Sequence, residues 1–101
     1  EPSVSIESQI EKLITLFQEC SGPTDLYEKI IELGRKAPPL AAEERLEERL
    51  VTGCQSRLYL VVTPNGERIF FRAEADALIA NGLAQLLLWV YSGQKAEEIV
   101  R

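Results

Sequence analysis

The sequence Leu50-Val51-Thr52-Gly53-Cys54-Gln55-Ser56-Arg57-Leu58-Tyr59-Leu60 lies where the hydrophobic periodicity of the chain changes. Before it, apolar residues recur at the three- and four-residue spacing of amphipathic helices. After it, they alternate with a period of two, as in a half-buried β-strand. Cys54 therefore falls in a predicted loop between helical and β-structure, a position from which a rigid frame can present a side chain.

Two amphipathic helices are predicted ahead of this sequence. Ser5 is placed to cap the first helix, which ends near Cys20, a residue we interpret as a small buried or half-buried hydrophobic side chain. Thr24 is placed to cap a second helix over residues 24–33, and Gly34 fits the position that follows a helix C-terminus. Both helices have an apolar face that needs a partner layer.

The segment of residues 41–50 carries a run of Glu and Arg side chains and has only Leu46 and Leu50 to bury. This composition predicts one or two turns or an ordered loop on the surface. A solvated face is the simpler interpretation of the charges. A patch that docks a partner is the alternative, because the segment lies so close to Cys54 in the sequence.

A β-hairpin is predicted directly after the cysteine. Apolar and polar residues alternate from Arg57, Asn65-Gly66 is a strong hairpin-turn signal, and the return strand covers residues 68–73. Tyr59 is expected to pack on the first strand. Leu50-Val51 is placed to add a short third strand to this antiparallel sheet.

The sheet needs an apolar cover on one face, and the following helix supplies it. This helix is predicted to begin near Ala75 or Asp76, with a carboxylate capping its free amides, and to end at Ser92-Gly93. Gly82 lies on its apolar face, where the missing side chain lets another backbone approach closely. Trp89 is expected in the core.

The composition excludes several classes of function. With 11 basic and 16 acidic residues the net charge is −5, and no basic tract is present that would bind a phosphate backbone. Histidine is absent, which excludes Ser-His-Asp catalysis, Cys-His catalysis and His-ligated zinc. The longest apolar stretch, residues 83–91, is far shorter than the ~20 residues that span a membrane. We expect no cofactor and no bound metal, because two cysteines alone cannot form a zinc site.

Cys54 is the residue best suited to chemistry. Its flank is polar rather than core-like, a glycine beside it permits a sharp turn, and nearby basic residues would favour the reactive thiolate. These neighbours are Gly53, Gln55, Ser56, Arg49 and Arg57. Since no histidine can act as a base, the favoured chemistry is thiol exchange or sulfur transfer with a sulfur atom supplied by a partner.

Two other interpretations stay open at this point. In the first, the chain is a non-catalytic α+β adaptor or binding module, and Cys54 is incidental. In the second and more distant one, it is a thiol peroxidase or a stand-alone cysteine hydrolase, for which the sequence supplies no activating or resolving group. We expect Cys20 and Cys54 to be reduced rather than joined, since two cysteines are too few for a secreted disulfide scaffold.

The chain carries a series of motifs in a definite order: Ile31-Glu32-Leu33-Gly34-Arg35-Lys36 with Pro38-Pro39-Leu40, Val51-x-Gly53-Cys54-Gln55-Ser56, Phe71-Arg72-Ala73-Glu74-Ala75-Asp76-Ala77 with Gly82-Leu83, Tyr91-Ser92-Gly93, and Glu97-Glu98-Ile99. In this order and spacing the chain resembles the SufE family of sulfur-acceptor proteins. The Gly-Cys-Gln-Ser core is the most specific part of the resemblance. The chain departs from the usual residues of that family at Arg49, Leu50, Thr52 and Tyr59.

The resemblance implies a SufE/IscU-like two-layer α+β fold, in which helices pack against one face of a small, about three-stranded antiparallel sheet. It implies a single SufE-like domain over residues 1–101. Relatives continue past Ile99 into further helices, so we expect this chain to be trimmed or to be a short variant.

The resemblance also implies that Cys54 accepts persulfide sulfur from a pyridoxal-phosphate-dependent, SufS-like cysteine desulfurase. The protein would stimulate that enzyme without being a stand-alone enzyme itself, and pass the sulfur to an iron–sulfur scaffold complex. Loop support is expected from Gly53, Gln55 and Ser56, and thiolate tuning or partner docking from Arg49, Arg57, Glu74 and Asp76. We expect no nucleic-acid or membrane partner, and a monomer or weak dimer in a bacterial cytoplasm or an organelle.

Overall fold

The computed structural model describes residues 5–53 and 56–100, and in this part of the chain helices pack on an antiparallel sheet. The elements follow in the order α1 (Ile6–Gln18), α2 (Pro23–Lys36), two short 3-10 helices (Ala42–Glu44 and Glu47–Arg49), β1 (Leu58–Asn65), β2 (Arg68–Ala75), α3 (Leu78–Tyr91), β3 (Gln94–Lys95) and α4 (Ala96–Ile99). The predicted α+β class is confirmed.

Helix α1 begins where the sequence predicts. The Ser5 hydroxyl accepts a hydrogen bond from the backbone N–H of Ser8 at 3.1 Å, which satisfies one of the free amides at the helix N-terminus. At the other end the amide of Cys20 donates to the carbonyl of Phe17 at 3.1 Å. Cys20 itself is half-buried, as predicted.

Helix α2 is longer than predicted at both ends. It begins at Pro23, with Gly22 and not Thr24 at the N-cap, because proline is favoured at the first helical position. It also continues through Gly34 to Lys36, so the prediction that Gly34 follows the helix was wrong. The helix ends at Ala37, whose extended conformation (φ −73°, ψ 140°) suits a residue that precedes a proline.

Gly34 is buried in α2 because it lies against Gly82 of α3. A Cβ atom added to Gly34 would lie 2.9 Å from the Gly82 nitrogen, and one added to Gly82 would lie 2.1 Å from the carbonyl oxygen of Ile30. Nδ2 of the Asn81 side chain donates to the Gly34 carbonyl at 3.1 Å and strengthens the same crossing. The prediction that Gly82 allows a close backbone approach is confirmed.

Strands β1 and β2 form the predicted hairpin. Their register runs from Leu58 opposite Ala75 to Asn65 opposite Arg68, which leaves Gly66 and Glu67 as a two-residue turn. Gly66 has φ +65°, as the first central residue of a type II′ turn requires.

The third strand of the described sheet is not the one that the sequence suggested. It is β3, in which Lys95 pairs with Arg68 and Gln94 with Ile69, so that β2 is the central strand. Leu50 forms only an isolated bridge with Tyr59. A two-residue strand has too few side chains to show a period, which is why sequence reasoning missed it.

Helix α3 begins at Leu78, later than predicted, and its N-cap Ala77 provides no side-chain cap. It ends at Tyr91 as predicted, followed by Ser92 and by Gly93 with φ +85°. The Ser92 hydroxyl accepts a hydrogen bond from the amide of Phe71 at 2.9 Å. This bond ties the end of the helix to the central strand.

Trp89 lies outside the core, contrary to the prediction, with 44% of its surface exposed. It lines an apolar groove of about 630 Å³ between α1, α2, α3 and β2. Packing of α3 against α2 and β2 occupies the other sides of the helix and leaves Trp89 at this groove. Among the described residues, the buried apolar side chains are Leu40, Val61, Ala73, Ala75 and Val90.

Candidate functional site

The predicted acceptor Cys54 and its neighbour Gln55 lie outside the described residues. The structure does describe the residues on either side of them, Gly53 and Ser56. Gly53 is exposed and Ser56 is half-buried. The contacts that hold these two flanks are what the structure describes of this site.

The flank before the cysteine is held against the start of β1. The amide of Val51 donates to the carbonyl of Leu58 at 2.9 Å, and Leu50 bridges to Tyr59. Gly53 follows with φ +85°, a conformation that residues with a Cβ atom rarely adopt. The glycine before Cys54 is therefore required by a turn in the backbone, as its sequence position indicated.

The flank after the cysteine is held by Asp76. The amide of Arg57 donates to the Asp76 carboxylate at 3.1 Å, and the amide of Asp76 donates back to the Arg57 carbonyl at 3.2 Å. This exchange extends the β1–β2 pairing beyond Leu58 and Ala75. Asp76 thus does not cap α3 as predicted. Its carboxylate instead binds Arg57, the last of residues 52–57, which we name the cysteine loop.

The guanidinium group of Arg57 lies over the ring of Tyr59. Its Nη2 and Nε atoms donate to the Tyr59 hydroxyl at 3.1 Å and 3.3 Å, and its central carbon is 5.8 Å from the ring centroid. The hydrogen bond to Tyr59 raises the pKa of Arg57 above its ordinary value, and the charges of Glu47 and Asp76 act in the same direction. A cation is thereby fixed three positions after Cys54.

Glu74 and Arg49, two further residues predicted near the thiol, belong to a neighbouring network. One oxygen of Glu74 accepts from the amide of Leu40 at 2.8 Å and from Nη1 of Arg45 at 3.0 Å. Arg49 donates from Nη1 to the carbonyl of Glu44 at 3.2 Å. The structure therefore places Asp76 against Arg57 at the end of the cysteine loop. It places Arg49 in the segment that precedes the loop, and Glu74 on β2, where it is bound to that segment.

An ion pair between Glu44 and Arg72 completes this network, and sequence reasoning did not single it out. Nη1 of Arg72 lies 3.0 Å from Oε1 of Glu44, and Nη2 contacts the second carboxylate oxygen, which gives a bidentate pair. The hydrogen bond from Arg72, together with one from the Ala41 amide, lowers the pKa of Glu44 from 4.5 to about 2. The sequence carries one signal for these contacts. The charges run negative then positive in Glu44-Arg45 and positive then negative in Arg72-x-Glu74, so the two pairs of residues are complementary.

The described part of the chain contains neither a cluster of metal ligands nor a membrane-spanning helix. No group of three or more Cys, Asp or Glu side chains among residues 5–53 and 56–100 could hold a metal ion. Over the same residues no helix is long and apolar enough to cross a membrane. The other cysteine, Cys20, is a free thiol whose Sγ lies 4.0 Å from the Leu16 carbonyl, beside the apolar stripe of α1.

The model of the family described as SufE, Fe-S metabolism associated domain, matches residues 11–101, which is nearly the whole chain. The matched region includes the cysteine loop, the hairpin and every helix described above except residues 6–10 of α1.

Proposed function

Because this chain belongs to the SufE family and is associated with iron–sulfur metabolism, we propose that it is a sulfur-transfer accessory protein whose acceptor is Cys54. The donor is the persulfide of a PLP-dependent, SufS-like cysteine desulfurase. The recipient is an iron–sulfur scaffold complex, and residues 1–101 act as one SufE-like domain, a monomer or weak dimer. The protein stimulates the desulfurase and is not an enzyme by itself.

The transfer is a thiol exchange that needs no external oxidant or reductant. The Cys54 thiolate attacks the outer sulfur of the donor persulfide, so that a new S–S bond forms on Cys54. The S–S bond of the donor breaks at the same time, and the donor cysteine leaves as a thiolate. The outer sulfur keeps its proton, and the negative charge passes from Cys54 to the donor.

The observation that carries this proposal is the anchoring of both flanks of Cys54. Bonds from Val51 to Leu58 and between Arg57 and Asp76 close the loop that contains the thiol. A loop closed in this way loses less conformational freedom when it enters the active site of a partner, which lowers the free-energy cost of docking. Arg57 carries a positive charge three positions after Cys54, and we assign it the role of favouring the thiolate, the form that a cation stabilises.

The experiment uses the two cysteines as a matched pair. Wild type, Cys54→Ser and Cys20→Ser are each incubated with a cysteine desulfurase and cysteine, and the sulfide released after reduction of the acceptor protein is measured. Cys54→Ser is expected to take up no sulfur and Cys20→Ser to match the wild type. Equal loss in both variants, or uptake by Cys54→Ser, would contradict the proposal and favour an adaptor in which Cys54 is incidental.

A reducing compartment is required by this chemistry, since the acceptor must be a free thiol before each transfer. We place the protein in a bacterial cytoplasm or an organelle of similar redox state. Neither a nucleic-acid partner nor a membrane partner enters the proposed reaction.

A further inference from the structure

Residues 40–49, which we name the bridging segment, lie across the described sheet before the chain reaches the cysteine loop. At its start Leu40 is buried, with 3% of its surface exposed, and its amide donates to Glu74 of the central strand at 2.8 Å. At its end the next residues, Leu50 and Val51, bond to Tyr59 and Leu58 of the edge strand. The segment therefore connects β2 to β1 just before Gly53.

Two ion pairs of opposite polarity fix the bridging segment to β2. Arg72 and Glu74 are two residues apart on β2, so their side chains point to the same face of the sheet. Glu44 pairs with Arg72 and Arg45 pairs with Glu74, at 3.0 Å in each case. A shift of the segment by one residue would bring like charges together, so the pattern selects a single register.

Hydrogen bonds inside the bridging segment join the two ion pairs. The Glu44 carboxylate accepts from the Ala41 amide at 3.0 Å, and Nη1 of Arg45 donates to the Leu40 carbonyl at 2.6 Å. Arg49, at the end of the second 3-10 helix, donates to the Glu44 carbonyl at 3.2 Å. The position of Glu44 on the sheet therefore helps to fix the position of Arg49. Arg49 comes directly before Leu50, which forms the bridge to Tyr59.

From this geometry we infer that Glu44, Arg45, Arg72 and Glu74 are positioning residues for Cys54, acting through the register of the bridging segment. The inference rests on the proposed function, in which Cys54 accepts sulfur from a desulfurase. Breaking an ion pair would let the segment shift, loosen the Val51–Leu58 bond and enlarge the range of positions that the thiol visits. A larger concentration of the protein would then be needed to half-saturate the desulfurase, while the maximal rate would stay the same.

The test compares the full chain with Glu44→Gln, Arg72→Gln, the double variant and the charge-reversed pair Glu44→Lys with Arg72→Glu. Glu32→Gln is the matched control, because Glu32 pairs with Lys36 at 3.7 Å on the surface of α2, outside the bridging segment. Amide exchange at Val51 and alkylation of Cys54 by iodoacetamide are measured without a partner. The half-saturating concentration and the maximal rate are then measured with a desulfurase.

Each single variant is expected to raise Val51 exchange, Cys54 alkylation and the half-saturating concentration roughly two- to fivefold, the scale of one surface ion pair. In the double variant these three quantities should rise no further than in either single variant. In the charge-reversed pair they should return toward the wild-type values. Amide exchange in α3 is the reference for global unfolding, and it should not change. Glu32→Gln should leave all of these quantities unchanged.

The inference is overturned if the effects of the two single variants on Val51 exchange and Cys54 alkylation add in the double variant, or if the charge-reversed pair restores neither quantity. It is overturned as well if amide exchange in α3 rises as much as exchange at Val51. It is also overturned if uptake of sulfur falls while Val51 exchange stays constant, because Arg72 or Glu44 would then contact the partner directly. A wild-type protein that accepts no sulfur would refute the proposed function alone. The exchange and alkylation results would still decide whether the bridging segment positions Cys54.

Discussion

Arg57 and Asp76 exchange two hydrogen bonds across the open end of the β1–β2 hairpin, at 3.1 Å and 3.2 Å. One bond joins two backbone groups, and the other uses the Asp76 carboxylate. The pair closes the cysteine loop on the side that follows Cys54, as the Val51–Leu58 bond closes it on the side before. The two flanks of the loop are therefore held by the sheet.

Asp76→Ala is expected to loosen the loop, because it removes the carboxylate that accepts from the Arg57 amide and leaves the backbone bond in place. The free energy of unfolding should fall by about 1 kcal/mol, the usual contribution of one hydrogen bond. Urea denaturation measures this loss. Asp76→Asn is the control, since its side-chain oxygen can still accept the bond, and a loss as large as that of Asp76→Ala would contradict this account of Asp76.

Arg57→Gln is expected to make the Cys54 thiol less acidic, because it removes the cation held three positions away by Tyr59. The pH dependence of Cys54 alkylation should move to higher pH. Arg35→Gln, at the C-terminal end of α2, removes a cation outside the cysteine loop and should produce no shift. An unchanged profile in Arg57→Gln would show that this arginine does not tune the thiol.

Gly82→Ala is expected to be among the most destabilising single substitutions, because its Cβ atom would lie 2.1 Å from the Ile30 carbonyl oxygen. The two helices would have to separate, at a cost of about 3 kcal/mol or more. Gly22→Ala is the control: no atom lies within 4 Å of its added Cβ, and the backbone there is extended. Its effect in thermal denaturation should stay below ~1 kcal/mol.

Acid should weaken the attachment of the bridging segment through Glu44. The folded-state pKa of Glu44 is depressed from 4.5 to about 2 by the hydrogen bond from Arg72, so its contribution to stability is present above pH 4.5 and is lost as the pH falls toward 2. The difference in unfolding free energy between wild type and Glu44→Gln should shrink over this range. A difference that stays constant down to the lower limit would contradict the depressed pKa.

The layers of the fold could be predicted because each rests on a local pattern. The Ser5 cap, the hairpin around Gly66 and the end of α3 at Ser92 and Gly93 follow from residue types within a few positions of each other. The close approach at Gly82 was also predictable, since a glycine on an apolar helix face has few other uses.

The errors arise where a distant residue changes the local preference. Gly34 continues a helix instead of ending it because α3 requires a residue without a side chain there. The Asp76 carboxylate does not cap α3, because it accepts a hydrogen bond from the Arg57 amide instead. The partners of Glu74, which are Arg45 and the Leu40 amide, were not predicted either. No local pattern contains these partners.

The most direct test of the central claim is intact-mass analysis after the wild-type protein is mixed with a cysteine desulfurase and cysteine, followed by peptide mapping. We expect the protein to gain one or more whole sulfur atoms, located on Cys54 and removed by a reductant. A protein that gains no sulfur, or that carries the added sulfur on Cys20, would contradict it.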